Sequence, residues 1–140
     1  MEKKSYQELV KNRIFIGGAD DISELLENEK IDVIYDLRAE SKNNHHLDNR
    51  IHLPIVDDKE KQDESVKRAL DEVKKAYDEN KNIYFHCSGG KNRTGTVAIG
   101  TLMNLGLAGS IEEAEEKAKS IRAAIQVKPE MKDTLKRLYS

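Results

Sequence analysis

Apolar positions recur along this chain with two different periods. Arg13-Ile14-Phe15-Ile16-Gly17-Gly18 is a short apolar run closed by a glycine pair, which predicts a strand after a basic-polar leader, Met1 to Asn12. Asp20 or Asp21 is placed to cap a short helix with Ile22, Leu25 and Leu26 on one face. The β-branched, apolar-rich Ile31 to Leu37 predicts a buried strand, and Ile51 to Ile55 a third, which Pro54 confines to an edge or a strand end. Between them, residues 38–50 are polar and read as a surface loop. From Asp63 to Glu79 the apolar Val66, Leu70, Val73 and Tyr77 follow helical spacing, with Lys and Glu on the wet face. Asn82 to His86 predicts the fourth strand, and a glycine-rich turn leads into a helix carrying Val97, Ile99, Leu102, Met103 and Leu105. Ser110 with Glu113 forms a capping-box pattern for the next helix, and a last one starts near Pro129 with Met131, Leu135 and Leu138.

Strands alternating with helices predict an α/β fold, a mostly parallel central sheet with helices on both faces. Such folds place their chemistry at the carboxyl ends of the strands. The length of 140 residues is that of one domain spanning 1–140. Ile, Leu, Val and Phe make up about a quarter of the chain, above the ~20% below which charged sequences stay disordered. With 24 Lys+Arg against 26 Asp+Glu the net charge is −2, so no global basic field points to nucleic acid. No long apolar run or leader-like segment suggests integral membrane contact, and one Cys excludes an internal disulfide. These features predict a cytoplasmic protein.

The strand ending at His86 delivers that single Cys to the functional edge. His86-Cys87-Ser88-Gly89-Gly90-Lys91-Asn92-Arg93-Thr94-Gly95 reads physically as a phosphate cradle. Two glycines let successive N–H groups turn inward, the following helix adds the positive end of its dipole, and Arg93 returns over the loop with a planar fork for two phosphate oxygens. In that field Cys87 is expected to be a thiolate, because helix N-termini and cations lower thiol pKa to roughly 3.5–7.5. A lone Cys is more often a small core hydrophobe, but the polar and Gly residues after it make poor core material. The nucleotide-binding loop requires Ser or Thr after its Lys, where Asn92 stands, and redox or zinc sites require more Cys. No metal or cofactor is called for.

At this segment the chain resembles the cysteine-dependent protein tyrosine phosphatases, specifically their compact dual-specificity type, whose His-Cys-x5-Arg-Ser/Thr-Gly signature His86 to Gly95 meets in full. The resemblance extends to Arg13–Gly18, Val33–Arg38, Leu53–Asp57 and the Pro129 helix, nearly the whole chain. It implies hydrolysis of phosphate monoesters through a phosphocysteine, on phosphotyrosine and also on phosphoserine or phosphothreonine. It implies Cys87 as nucleophile and Arg93, with the N–H groups of Ser88, Gly89, Gly90, Lys91 and Asn92, as the phosphate cradle. It further implies Asp57 as general acid, with neighbouring Asp58 as the rival, His86 as a tuner of the thiol and Thr94 as a hydroxyl donor to sulfur. Arg38 is read as structural or surface.

Lys91 departs from the commonest loops of that type and resembles those of lipid phosphatases in the superfamily, so a phosphoinositide or inositol phosphate substrate stays open beside the reading of Lys91 as a plain solvated lysine. His45, His46 and Arg50 could extend such a rim. A phosphate-binding module without turnover is the alternative of a different class. The expected partner is a phosphorylated protein or a phosphorylated small molecule or lipid headgroup; nothing in the residues sets the oligomeric state.

Overall fold

The computed structural model describes residues 5–38, 50–56 and 61–139. Asp57, Asp58, His45 and His46 therefore lie outside the described residues, and with them the general-acid assignment and the histidine rim. Five strands form one sheet in the order β1 (Gln7–Val10), β2 (Ile14–Gly18), β5 (Ile83–Cys87), β3 (Val33–Asp36), β4 (Arg50–His52). All neighbours are parallel except β1, which pairs antiparallel with β2. The helices are α1 (Ile22–Asn28), α2 (Gln62–Asp78), α3 (Asn92–Asn104), α4 (Ile111–Ile121) and α5 (Pro129–Leu138). No helix among the described residues is long and apolar enough to cross a membrane.

Side-chain alternation along the strands sorts the interior into two cores. On one face Ile14, Ile16, Tyr35, Ile83, Phe85 and Cys87 meet the buried stripes of α2 and α3 and the inner residues of α4 and α5. On the other, Tyr6, Phe15, Ile34 and Tyr84 pack with Ile22 and Leu25 of α1. The period of two on β5 thus decides that Cys87 faces the same side as α3, while His86 points to the opposite face. Asp36 and Gly17 are the register partners of His86 on either side, and Gly18 is the partner of Cys87.

Five local expectations are corrected. The leader contains β1: Leu9 and Tyr6 are buried, and the turn back to β2 passes through Asn12 at φ 63°. Four residues with a charged member carry too little pattern to announce a strand. Leu26 is 41% exposed rather than on the buried face of α1. Asp21 does stand at the start of that helix, but its carboxylate accepts the Gly18 N–H at 2.7 Å, closing the preceding 3₁₀ turn Ala19–Asp21 instead. The third strand ends at His52: Leu53 and Ile55 still donate to Asp36 O and Leu37 O, but Pro54 between them has no N–H and breaks the ladder. At α4, Ser110 accepts from Glu113 N as expected, while the Glu113 carboxylate bonds Gly109 N, so the box closes one residue earlier.

Candidate active site

The loop from β5 to α3 begins where the central strand runs out and the helix starts at Asn92, two residues ahead of the expected Thr94. Cys87 sits at its base, only 6% exposed, on the floor of an open cavity of about 240 Å³ lined by residues 87–89, 91–93 and Lys128. The Thr94 hydroxyl donates to Cys87 Sγ at 3.1 Å. Burial alone would push the thiol pKa up; the Thr94 hydroxyl and the backbone N–H groups of Thr94, Lys91 and Gly90 outweigh it and hold the thiol below its ordinary value. These donors converge on the sulfur at the floor of that cavity.

His86 is 1% exposed. Its ring stacks on Tyr84 at 5.6 Å between centroids, and Nδ1 lies 3.2 Å from the Cys87 carbonyl oxygen. Burial lowers its pKa, with the Cys87 carbonyl and Asp36 opposing, so the imidazole is neutral at physiological pH and contacts the loop backbone rather than the sulfur. This geometry suits a tuner of the loop and not a base. Arg38 makes a two-pronged pair with the buried Asp36 carboxylate, Nε to Oδ1 at 2.9 Å and Nη2 to Oδ2 at 2.8 Å, and His52 Nε2 meets its carbonyl oxygen. Its role here is to satisfy Asp36 beside the site.

Of the residues assigned to the cradle, Ser88 and Gly89 are exposed at the rim and Gly90 is buried beneath it. Gly90 has φ +67°, and a Cβ there would come within 2.7 Å of Gly17 backbone atoms, so only glycine is accommodated. Asn92 takes a part that the sequence did not suggest. Its Oδ1 accepts the Lys128 N–H at 2.9 Å, which ties the start of α3 to the stretch before α5. Arg93 lines the cavity wall as the spacing requires.

The residue that sequence reasoning missed is Arg122, at the end of α4. Its guanidinium donates Nε to Gly90 O at 3.0 Å and Nη2 to Gly89 O at 3.2 Å. Nη1 reaches Ser5 O at 2.8 Å and Gln7 Oε1 at 2.7 Å, and Asp21 lies 3.9 Å away. One side chain thus ties the outer carbonyls of the loop to β1 and to the 3₁₀ turn. No local signal marks it: it is one of several basic residues near a helix end. Lys128, likewise unforeseen, enters through the stretch before α5.

Among the described residues no group of three or more His, Cys, Asp or Glu side chains is gathered as a metal site. The arrangement is that of a nucleophilic sulfur under a ring of anion-directed donors, capable of attacking a bound phosphoryl group.

Comparisons with known proteins agree with this geometry. The family model for the dual specificity phosphatase catalytic domain matches residues 14–140. No curated protein matches the chain in sequence. Among solved structures, a mouse protein described as a dual specificity phosphatase, complexed with zinc tungstate, superposes with a TM-score of 0.80 at 18% identity, over 97% of this chain and 87% of that one. Tk-PTP in its active form gives 0.78 at 22% identity over 98% and 97%, and PTPMT1 in complex with PI(5)P gives 0.77 at 17% over 96% and 94%. At these identities the likeness speaks for the fold.

Proposed function

Because the chain belongs to the dual-specificity phosphatase catalytic-domain family, we propose that it hydrolyses phosphate monoesters through a phosphocysteine on Cys87, acting on phosphotyrosine and also on phosphoserine or phosphothreonine. The observation that carries this reading is the Cys87 sulfur, lowered in pKa by Thr94 and the inward N–H groups, at the floor of a cavity walled by Arg93. In the first step Cys87 Sγ attacks phosphorus, the S–P bond forms and the P–O bond to the leaving group breaks. The loop N–H groups and the Arg93 fork hold the equatorial oxygens throughout; a single donor of this kind is typically worth about 10²–10³-fold. In the second step water attacks phosphorus, the S–P bond breaks, and the Thr94 hydroxyl receives the departing thiolate with a hydrogen bond.

A protonated carboxyl is needed at the leaving oxygen, a contribution of about 10²–10⁴-fold, and the same carboxylate then takes the proton from water. Asp57 is assigned this part, directly after Val56, whose N–H donates to Ser65 Oγ at 3.2 Å. Asp58 is the alternative. Asp57→Ala is expected to slow alkyl phosphates far more than aryl phosphates with good leaving groups; that pattern in Asp58→Ala instead moves the assignment by one residue.

The decisive experiment is turnover of a chromogenic aryl phosphate by the wild type and Cys87→Ser. Loss of about 10³-fold or more with phosphate binding retained is the expected result, and activity near wild type ends the mechanism. Absence of turnover in the wild type would leave a phosphate-binding module. Vanadate is expected to inhibit and metal chelators to have no effect. A second substrate reading, an inositol phosphate or phosphoinositide, is favoured by one observation: two lysines, Lys91 and Lys128, line the cavity.

A further inference from the structure

Residues 122–128 form a strap across the start of α3. Ile125 and Val127 are buried while Gln126 and Lys128 between and after them are exposed, the alternation of an extended segment. The inward pair seats on Gly95: a Cβ there would come within 2.7 Å of Ile125 and 2.9 Å of Val127, so the strap lies flat only over a glycine. Two hydrogen bonds then join it to the phosphate loop, Gln126 N to Lys91 O at 3.2 Å and Lys128 N to Asn92 Oδ1 at 2.9 Å. Pro129 fixes the first turn of α5 immediately afterwards, and Lys128 O accepts from Met131 N and Lys132 N. The backbones of Lys91 and Lys128 are therefore held in a set relation at the cavity mouth by bonds that involve neither ammonium group.

What sets these two lysines apart is their place at the cavity, where no carboxylate neutralises them locally as one does several surface lysines. Lys67, Lys74, Lys81, Lys119 and Lys132 each face a carboxylate within 3.4 Å. Among the described residues Lys91 and Lys128 are in no ion pair, and both line the cavity that ends on Cys87. Lys91 folds its stem back along the loop, with Cγ, Cδ and Cε each 3.9 Å from the Cβ position of Gly89. With the scissile phosphate assigned to the loop N–H groups and Arg93, both ammonium groups are left for another part of the substrate.

We propose that Lys128 is a specificity-determining residue, forming with Lys91 a subsite for a second phosphate on the same small molecule as the scissile one. Such a subsite deepens the second substrate reading given above: it would favour, over a singly phosphorylated peptide, a phosphate monoester whose carbon framework, a small ring or short polyol, carries another phosphate close to the first. Two compact ammonium groups suit this better than an aromatic-phosphate peptide, because a second phosphate is multiply charged and each lysine can meet it from its own side without a fixed fork. This inference rests on the proposed phosphatase reading of Cys87.

The test compares kcat/KM for a soluble inositol bisphosphate with adjacent phosphates against that for a simple aryl monophosphate. Lys128→Gln is expected to lower this ratio about fivefold, the effect of one partly exposed charge pair, and Lys128→Arg to retain it. An unchanged ratio, or equal proportional losses on both substrates, overturns the proposal. Presenting the same bisphosphate headgroup in phosphatidylcholine vesicles distinguishes the sources: a preference in vesicles alone assigns a lipid headgroup, and one in both settings assigns the headgroup itself, each in support. A stronger preference for a doubly phosphorylated peptide overturns it. Calorimetry of inorganic pyrophosphate against orthophosphate on Cys87→Ser protein reads the subsite without turnover, so it stands even if hydrolysis fails. There the preference for pyrophosphate is expected to shrink with Lys128→Gln and with added salt; a preference insensitive to both refutes the subsite.

Discussion

Along the loop from Ser88 to Thr94 the two kinds of backbone group meet opposite surroundings. The carbonyls face protein: Ser88 O accepts from Ala19 N, Gly89 O and Gly90 O from Arg122, Lys91 O from Gln126 N and Asn92 O from the Thr96 hydroxyl. The N–H groups of Gly90, Lys91 and Thr94 face the Cys87 sulfur at the floor of the cavity. A peptide plane is rigid, so fastening its carbonyl outward fixes its N–H inward. Several like-oriented N–H dipoles converging on one point repel one another and attract an anion. The outer bonds hold that arrangement in place before any substrate arrives, which is the condition for electrostatic preorganisation.

If the outer side sets the inner one, cutting it has the largest effect. Arg122→Ala is expected to lower kcat by roughly 10²-fold, as a misplacement of about 1 Å at a reacting group does. Arg122→Lys is not expected to rescue it, because a point charge cannot serve two carbonyls, Ser5 and Gln7 from one plane. Steady-state kinetics on an aryl phosphate checks both, and near wild-type kcat in Arg122→Ala would mean that the loop holds its shape unaided.

Gly90→Ala attacks the same comparison from the backbone. It forces a Cβ against Gly17 at a left-handed φ and is expected to cost about 1–3 kcal/mol of stability by denaturant titration. An unchanged midpoint would show that the turn can relax.

The smallest effect belongs to the inner side. Thr94→Val removes one hydrogen bond to sulfur, so the thiol pKa is expected to rise and the pH midpoint of iodoacetamide alkylation to move upward, with kcat lower by about tenfold. The linkage has a definite sign. The folded thiol is lowered relative to the unfolded one, so its contribution to stability is present above the unfolded value of about 8.5 and is lost as pH falls through the folded value. Cys87→Ala is expected to flatten that part of the stability–pH curve, and Thr94→Val to narrow its window.

What was legible in the sequence was contiguous or periodic. His86 to Gly95 is one uninterrupted run, so its spacing alone brings Cys87, Arg93 and Thr94 around one point, and the structure places them there. The long α2 and the buried β5 announced themselves through periods that follow from local geometry. The short β1 did not, since its partner is β2 and its pattern is only four residues long. Asp57 and Asp58 rest on the resemblance alone, because periodicity says nothing between adjacent carboxylates.

The sequence by itself determined the α/β alternation, the anion-directed loop and the identity of the sulfur, because these depend on neighbours in the chain. Only the tertiary structure decided which distant groups complete the site. Arg122 reaches Gly90 across 32 residues, and Lys128 reaches Asn92 across 36, because α4 and the strap fold back over the start of α3. Such contacts have no period and no fixed spacing. They exist because buried Ile125 and Val127 must cover Gly95, and because outward carbonyls must find donors.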